Sequence, residues 1–321
     1  MLRPSIDIKE LIAKHDNLPW LYSGLIYITI HGSWSYGTNT PESDLDVKGI
    51  AIPPAEYFHG FTKKFDQAES KDPDTTIYDI RKFFALAADA NPNVLELLFV
   101  DESDHLFITD IGRKLIANRD LFLSTKVRHT YTGYAAAQLK RIKSHKAWLM
   151  NPKETKPLRL DFGLPEHTVL DASTLGAIDA VRKGEAVTFP PQVMEIYQRE
   201  RTYHNAIHEY HQYQNWKKTR NPQRAALEAK YQIDTKHAMH LVRLARTGKE
   251  LLATGKLQVK RSDAEELLSI RNGAWNYDQI VSYAEGLDAE MAELEKTSPL
   301  PHKPDREALD KLCQEIVEAS L

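Results

Sequence analysis

Cysteine is almost missing from this chain: Cys313 is the single one in 321 residues. That excludes an internal disulfide framework and a cysteine-rich zinc module, and it fits a reducing, cytoplasmic setting. No sign of charge prevails either. Lys and Arg number 42 against 45 Asp and Glu, a net charge of −3, so no global positive field marks a nucleic-acid binder, and any such contact must come from local patches. No stretch approaches the ~18 uninterrupted apolar residues of a membrane span, so no membrane partner is expected. The charged first twenty residues lack the apolar segment of a secretory signal. Repeats and low-complexity tracts are absent as well. What is present is a 36.7 kDa chain with 42% hydrophobic and 27% charged residues, enough to bury a core and, at roughly 150 residues each, to form about two domains.

Strand and helix signals alternate in the first third. Ser5 to Lys14 reads as a short amphipathic helix. Leu25–Ile30 is a β-branched and aromatic run with the look of a buried strand, ending at Gly32-Ser33. Asp44–Ile52 predicts a second strand, closed by Pro53-Pro54, and Asp74–Asp79 a third. Ile80–Ala90 has helical periodicity, and Val94–Val100 fits helix or strand equally. Beyond about residue 105 helical patterns dominate: Thr125–Leu149, Val193–Trp216, Arg224–Thr254, Ala264–Ile270, Asn276–Glu295 and Asp305–Ala319. Residues 151–192, rich in proline, read as a long irregular connection. The expected organisation is an α/β domain over 1–120 and a mostly helical domain over 121–321.

The stretch from His31 to Gly49 carries the chemistry. A strand ends at Gly32-Ser33, where glycine permits close backbone approach and the following N–H groups can face an anion. The Ser33 and Ser35 hydroxyls can donate to the same anion. Asp44 and Asp46, two apart on a strand, project to one face. Neighbouring carboxylates repel unless a cation lies between them, and Mg2+, a hard cation favouring oxygen ligands and substrate phosphates, is the natural occupant. A phosphate cradle beside a metal dyad is machinery for phosphoryl or nucleotidyl transfer. Lys48, two residues past Asp46 and on the same face, is a candidate phosphate contact.

Gly32-Ser33 followed by Asp44-Leu45-Asp46 resembles the signature of the DNA polymerase β-like nucleotidyltransferase superfamily. The fuller strings GSWSYGTNTPESDLDVKG, YDIRKFFALAADANPNVLELLF and DTKHAMHLVRLARTGKELL resemble one branch of it, the RNA repair pathway, RNA-ligase-associated nucleotidyltransferases. The resemblance implies a mixed sheet backed by helices, followed by a mostly helical C-terminal domain. It implies that Gly32 and Ser33 hold a nucleoside triphosphate, such as ATP, and that Asp44 and Asp46 ligate two Mg2+ ions, with Mn2+ as the substitute. A third catalytic and metal-binding carboxylate would come from a neighbouring strand. The candidates are Asp74 and Asp79: Asp74 is favoured because it fits the branch pattern continued by Tyr78, Ile80, Lys82 and Phe83, while Asp79 lies on the opposite face of a regular strand and has a helix N-cap as its other reading. The acceptor would be an RNA or DNA 3′ end, RNA favoured, with an RNA ligase of the same pathway as a partner. Two other classes stay open: nucleotidylylation of a Tyr or Ser side chain of a protein, and a non-catalytic nucleotide-binding module, against which the intact motif argues.

Secondary features follow. Lys236, His240 and Arg243 share one broad helix face. With the resemblance, Lys236, His237 and His240 become candidate nucleotide-binding residues, and Asp234 a cap or orienting group. Glu96 matches the branch's Asn91-Pro92-x-x-x-Glu string, either on the catalytic side or as a tie between helix and sheet. His204, His208 and His211 have a spacing that can bind zinc, but a polar helix face is the simpler reading. Basic residues from Arg128 to Arg224, interleaved with Tyr131, Tyr134, Trp148, Tyr213 and Trp216, suggest an acceptor groove.

Overall fold

Every residue of the strand β1 (Leu25–His31) is buried, which its unbroken β-branched and aromatic run requires: both of its faces must be covered. A computed structural model, describing residues 6–184 and 189–321, shows how. Around β1 the first 117 residues contribute, in chain order, α1 (Ile8–Ala13), α2 (Ser33–Tyr36), β2 (Asp46–Ala51), α3 (Glu56–His59), β3 (Gln67–Ser70), β4 (Asp74–Asp79), α4 (Ile80–Ala88), α5 (Pro92–Leu95), β5 (His105–Ile108) and α6 (Asp110–Ala117). The strands form one sheet in the order β3-β4-β2-β1-β5. β2 and β4 run parallel, and the other neighbours pair antiparallel. On one face Ile28 and Val47 pack with Leu11, while Ala51, Ala68 and Ile77 pack with Ile12 and Leu21. Fully burying a Val or Ile side chain contributes ~1.5–3 kcal/mol, so this face fixes the strand register.

Helices follow: α7 (Val127–Met150), α8 (Ala172–Gly184), α9 (Pro191–Thr219), α10 (Pro222–Tyr231), α11 (Thr235–Thr254), α12 (Ala264–Arg271), α13 (Tyr277–Glu285), α14 (Leu287–Lys296) and α15 (Arg306–Glu318). The mixed sheet with a helical remainder is the expected fold class. Among the described residues, no helix is long and apolar enough to cross a membrane.

Several details differ from the sequence reading. Ser5 lies outside the described residues, and α1 starts after Asp7, whose carboxylate accepts from the Lys9 and Glu10 N–H groups. β2 begins at Asp46, so Asp44 and Leu45 precede the strand. The strands β3 and β5 are additional. Gln-Ala-Glu-Ser has no β-branched or aromatic residue, and β3 exists because β4 offers it a hydrogen-bonding edge. Val94–Val100 resolves as α5 and a 3₁₀ turn over Glu96–Phe99. The connection at 151–192 contains α8. The predicted helix from Arg224 to Thr254 is two helices, broken where Gln232 takes a positive φ of 60°, and Asn276–Glu295 is broken at Gly286.

By compactness the chain divides into two units. One comprises residues 1–142 and 235–321, the other residues 143–234. The boundary expected between 120 and 121 falls inside the first unit. The first holds the whole sheet together with α11 to α15. The second has its own small core: the rings of Trp148, Tyr213 and Trp216 meet at 5.4–6.2 Å, and Arg159 clasps the buried Glu200 at 2.6 and 3.1 Å.

Candidate active site

Register decides which carboxylates meet. On β2 Asp46 lies between His31 of β1 and Asp74 of β4. Two residues on, Lys48 lies between Thr29 and Thr76, and its ammonium donates to the Thr76 hydroxyl at 3.4 Å. Because side chains alternate along a strand, Asp46, Lys48, Asp74 and Thr76 share one face of the sheet. Glu69 of β3, opposite Thr76, joins them.

The charges feel one another. Asp46 has its pKa raised, first by partial burial, then by the Asp74 carboxylate and more weakly by Asp44, while Lys48 and Lys236 oppose the rise. Lys48 has its pKa lowered by burial, with Asp46, Asp74 and Glu69 pulling it back. Asp44 is exposed, outside the strand but close enough to act on Asp46. The expected dyad is therefore arranged differently: the pair aligned by the sheet is Asp46 with Asp74, and Asp44 approaches from the preceding loop.

Asp79 has another task. It is 1% exposed and is the N-cap of α4, accepting from the Arg81 and Lys82 N–H groups and pairing with the Arg81 guanidinium at 3.1 Å. Opposite Ala51, it stands at the other end of β4 from Asp74.

The turn after β1 closes onto this cluster. Gly32 has φ +67°, and a Cβ there would fall 1.9 Å from the Asp46 carboxylate oxygen Oδ2. Only glycine fits both the conformation and the approach. α2 then starts at Ser33, and the first N–H groups of a helix have no intrahelical acceptor. Ser33 stays half-buried beside the turn. Ser35 does not face a ligand as expected; it is fully buried, and its hydroxyl donates to the Gly32 carbonyl at 3.0 Å, shaping the turn.

α11 delivers the cations. Lys236, at its N-terminus, acts on Asp46, and Lys236 and His240 are half-buried. His237 is buried. Arg243 leaves the expected cationic surface: it is buried, and its guanidinium binds the Glu96 carboxylate at 3.0 and 3.1 Å. Glu96 is thus a tie between elements. His31, whose side chain neighbours this tie, has its pKa lowered to about 3 by burial, with Lys48 and Arg243 adding to the effect, so its imidazole is neutral.

Glu69 escaped the sequence reading because its strand carries no strand signal. Several of the basic residues expected to line an acceptor groove are engaged with carboxylates. Arg128 pairs with Glu295, Arg199 with Glu195, Arg201 with Asp179, Lys217 with Glu154 and Arg220 with Glu228. On α9 His204 lies near Glu200, and His208 meets Gln212 at 2.8 Å, consistent with a polar helix face. A cavity of about 700 Å³ borders Thr125, His129, His302 and Arg306, and none of the candidate residues lines it.

Hard oxygen donors aligned in register, one raising the other's pKa, form a donor set suited to a divalent cation. The Asp46–Asp74 pair, with the glycine turn closing on Asp46, suits Mg2+ beside a phosphate; Asp44 is exposed and precedes the strand.

Residues 4–156 match the sequence model of a family described as "RlaP: RNA repair pathway DNA polymerase beta family". Over 122 residues the chain is 35% identical to a protein of Enterobacteria phage T4 known as "Uncharacterized 38.9 kDa protein in nrdC-mobD intergenic region". That similarity covers 33% of this chain and 35% of the phage protein, about a third of each.

Proposed function

Because residues 4–156 match the model of the RNA repair pathway DNA polymerase beta family, we propose that the chain is a nucleotidyltransferase that moves a nucleoside monophosphate from a nucleoside triphosphate to a hydroxyl, releasing pyrophosphate. The acceptor is an RNA 3′ end in this reading, within an RNA repair pathway that includes an RNA ligase. The observation that carries it is the register Asp46–Asp74 with Gly32 closing on Asp46. Asp44, Asp46 and Asp74 would hold two Mg2+ ions, or Mn2+ in their place. When bound, these ions lower the pKa of the acceptor hydroxyl and neutralise charge on the leaving pyrophosphate.

The chain's own groups do the rest. The N–H groups after Gly32, with Ser33, cradle the triphosphate. Lys48 and Lys236 offset its negative charge from two sides, and His240 stands one helical turn beyond Lys236. Asp74 accepts the proton of the attacking hydroxyl. Ser35 and the neutral His31 support the turn without touching the substrate.

The test offers α-labelled nucleoside triphosphates and Mg2+ with either an RNA pool or a protein extract. Label on lengthened RNA that disappears with EDTA and returns with Mg2+ is the expected result. Label on protein bands would replace the RNA acceptor with a Tyr or Ser side chain. Label in neither, with the folded protein, would overturn the nucleotidyltransferase reading.

A further inference from the structure

Four side chains almost withdrawn from water meet behind the glycine turn. Glu96 is 0% and Arg243 4% exposed. One guanidinium nitrogen of Arg243 donates to both carboxylate oxygens of Glu96. The Tyr36 hydroxyl donates to Glu96 at 2.7 Å, and the Tyr131 hydroxyl reaches it at 3.5 Å. The guanidinium carbon also lies 3.7 Å from the centre of the Tyr36 ring. Tyr36 is thus held twice, through its hydroxyl and through its face.

A buried ion pair is a poor source of stability, because desolvating both charges offsets most of their attraction; apolar replacement is often neutral or better. What this pair does is connect. Tyr36 is the last residue of α2, a four-residue helix too short to hold its own shape. At the other end of that helix is Gly32, in contact distance of Asp46. Arg243 sits on α11 seven residues, about two turns, after Lys236, which acts on the same Asp46. One buried clamp therefore joins the turn, the 3₁₀ segment carrying Glu96 and the helix that brings the cation.

We propose that Arg243 and Glu96 are positioning residues that, by gripping Tyr36, set the glycine turn against Asp46 and so determine how tightly a nucleoside triphosphate is held. The inference rests on the reading that this turn cradles the triphosphate. Neither residue touches the nucleotide.

Removing one charge alone would strand the other in the core and could unfold the protein. The test therefore uses the double variant Arg243→Met/Glu96→Gln, which leaves no buried charge, together with Tyr36→Phe, which removes one hydroxyl and keeps the ring. Thermal unfolding, nucleotide affinity with Mg2+, and the KM and kcat of transfer are measured. Both variants are expected to unfold within a few degrees of the unmodified protein. In the double variant KM for the nucleotide rises about tenfold or more, with a parallel loss of affinity and a smaller change in kcat; Tyr36→Phe shifts KM in the same direction by less. KM for the acceptor stays the same. An active parent whose double variant is folded and has unchanged nucleotide affinity and KM would overturn the positioning role alone. Equal losses in nucleotide and acceptor KM would overturn it too, since they report a general loosening. A folded parent that binds and transfers no nucleotide would overturn both this inference and the function beneath it.

Discussion

Asp46 shows how one residue feels its neighbours. Its raised pKa comes from partial burial and from Asp74 and Asp44 beside it, so the folded protein favours the protonated carboxyl more than the unfolded chain does, where it titrates near ~3.9. The sign follows: the stabilising contribution of this group is fully present below the unfolded value and is lost as pH rises through the folded one. Asp46→Asn cannot ionise and escapes that loss. In EDTA at pH 7 the variant should melt level with the unmodified protein or ~2 °C above it, and the difference should vanish below about pH 4. Transfer activity should fall by at least ~100-fold, because a ligand that neutralises charge in the transition state is gone. Calorimetry at the two pH values, with a transfer assay, checks both parts. A variant that melts lower at pH 7 would contradict the like-charge account.

At the scale of elements, the same strand carries two aspartates with opposite duties. Asp74 meets Asp46 across β2, whereas Asp79 caps α4. Replacing an N-cap Asp by Ala costs ~0.5–2 kcal/mol, and Asp79 also pairs with Arg81. Asp79→Ala should therefore lower the unfolding midpoint and leave transfer per folded molecule within about twofold. Asp74→Asn should do the reverse, with a near-unchanged midpoint and transfer reduced ~100-fold or more. Urea unfolding and initial rates on both variants decide it. That Asp74 and Asp79 leave opposite faces of β4 was legible in the sequence from period-two alternation; which of them lies beside Asp46 is set by the register with β2. The position of Asp44 was not: the strand starts two residues later than its pattern suggests. β3 was equally hidden, since its pairing with β4, not its composition, makes it a strand.

For the whole molecule, the sheet and α11 belong to one unit although more than 180 residues separate β1 from the start of α11 in the chain. Glu96 finds its countercharge on Arg243, 147 positions away. A fragment ending at residue 156, the extent of the family match, would leave Glu96 buried without that partner and would remove α11, most of whose residues are buried. Breaking a buried pair in this way costs ~3–5 kcal/mol, a large fraction of a typical domain's stability. Such a fragment should lack a cooperative thermal transition by circular dichroism, in contrast to the full chain; a sharp transition would show that the sheet does not depend on α11.

The chain's local chemistry was set by sequence alone: where β1 stops, that a glycine follows it, that Asp74 and Asp79 leave opposite faces of β4, and that α4 begins after Asp79. Those features depend on backbone sterics and on side-chain alternation, which act within a few residues. Tertiary structure decided the rest. It turned Arg243 inward to Glu96, aligned Asp46 with Asp74 across a parallel register and gave Arg201 and Lys217 their partners Asp179 and Glu154. Each of those outcomes is a competition for a partner distant in the chain, settled by burial and charge compensation.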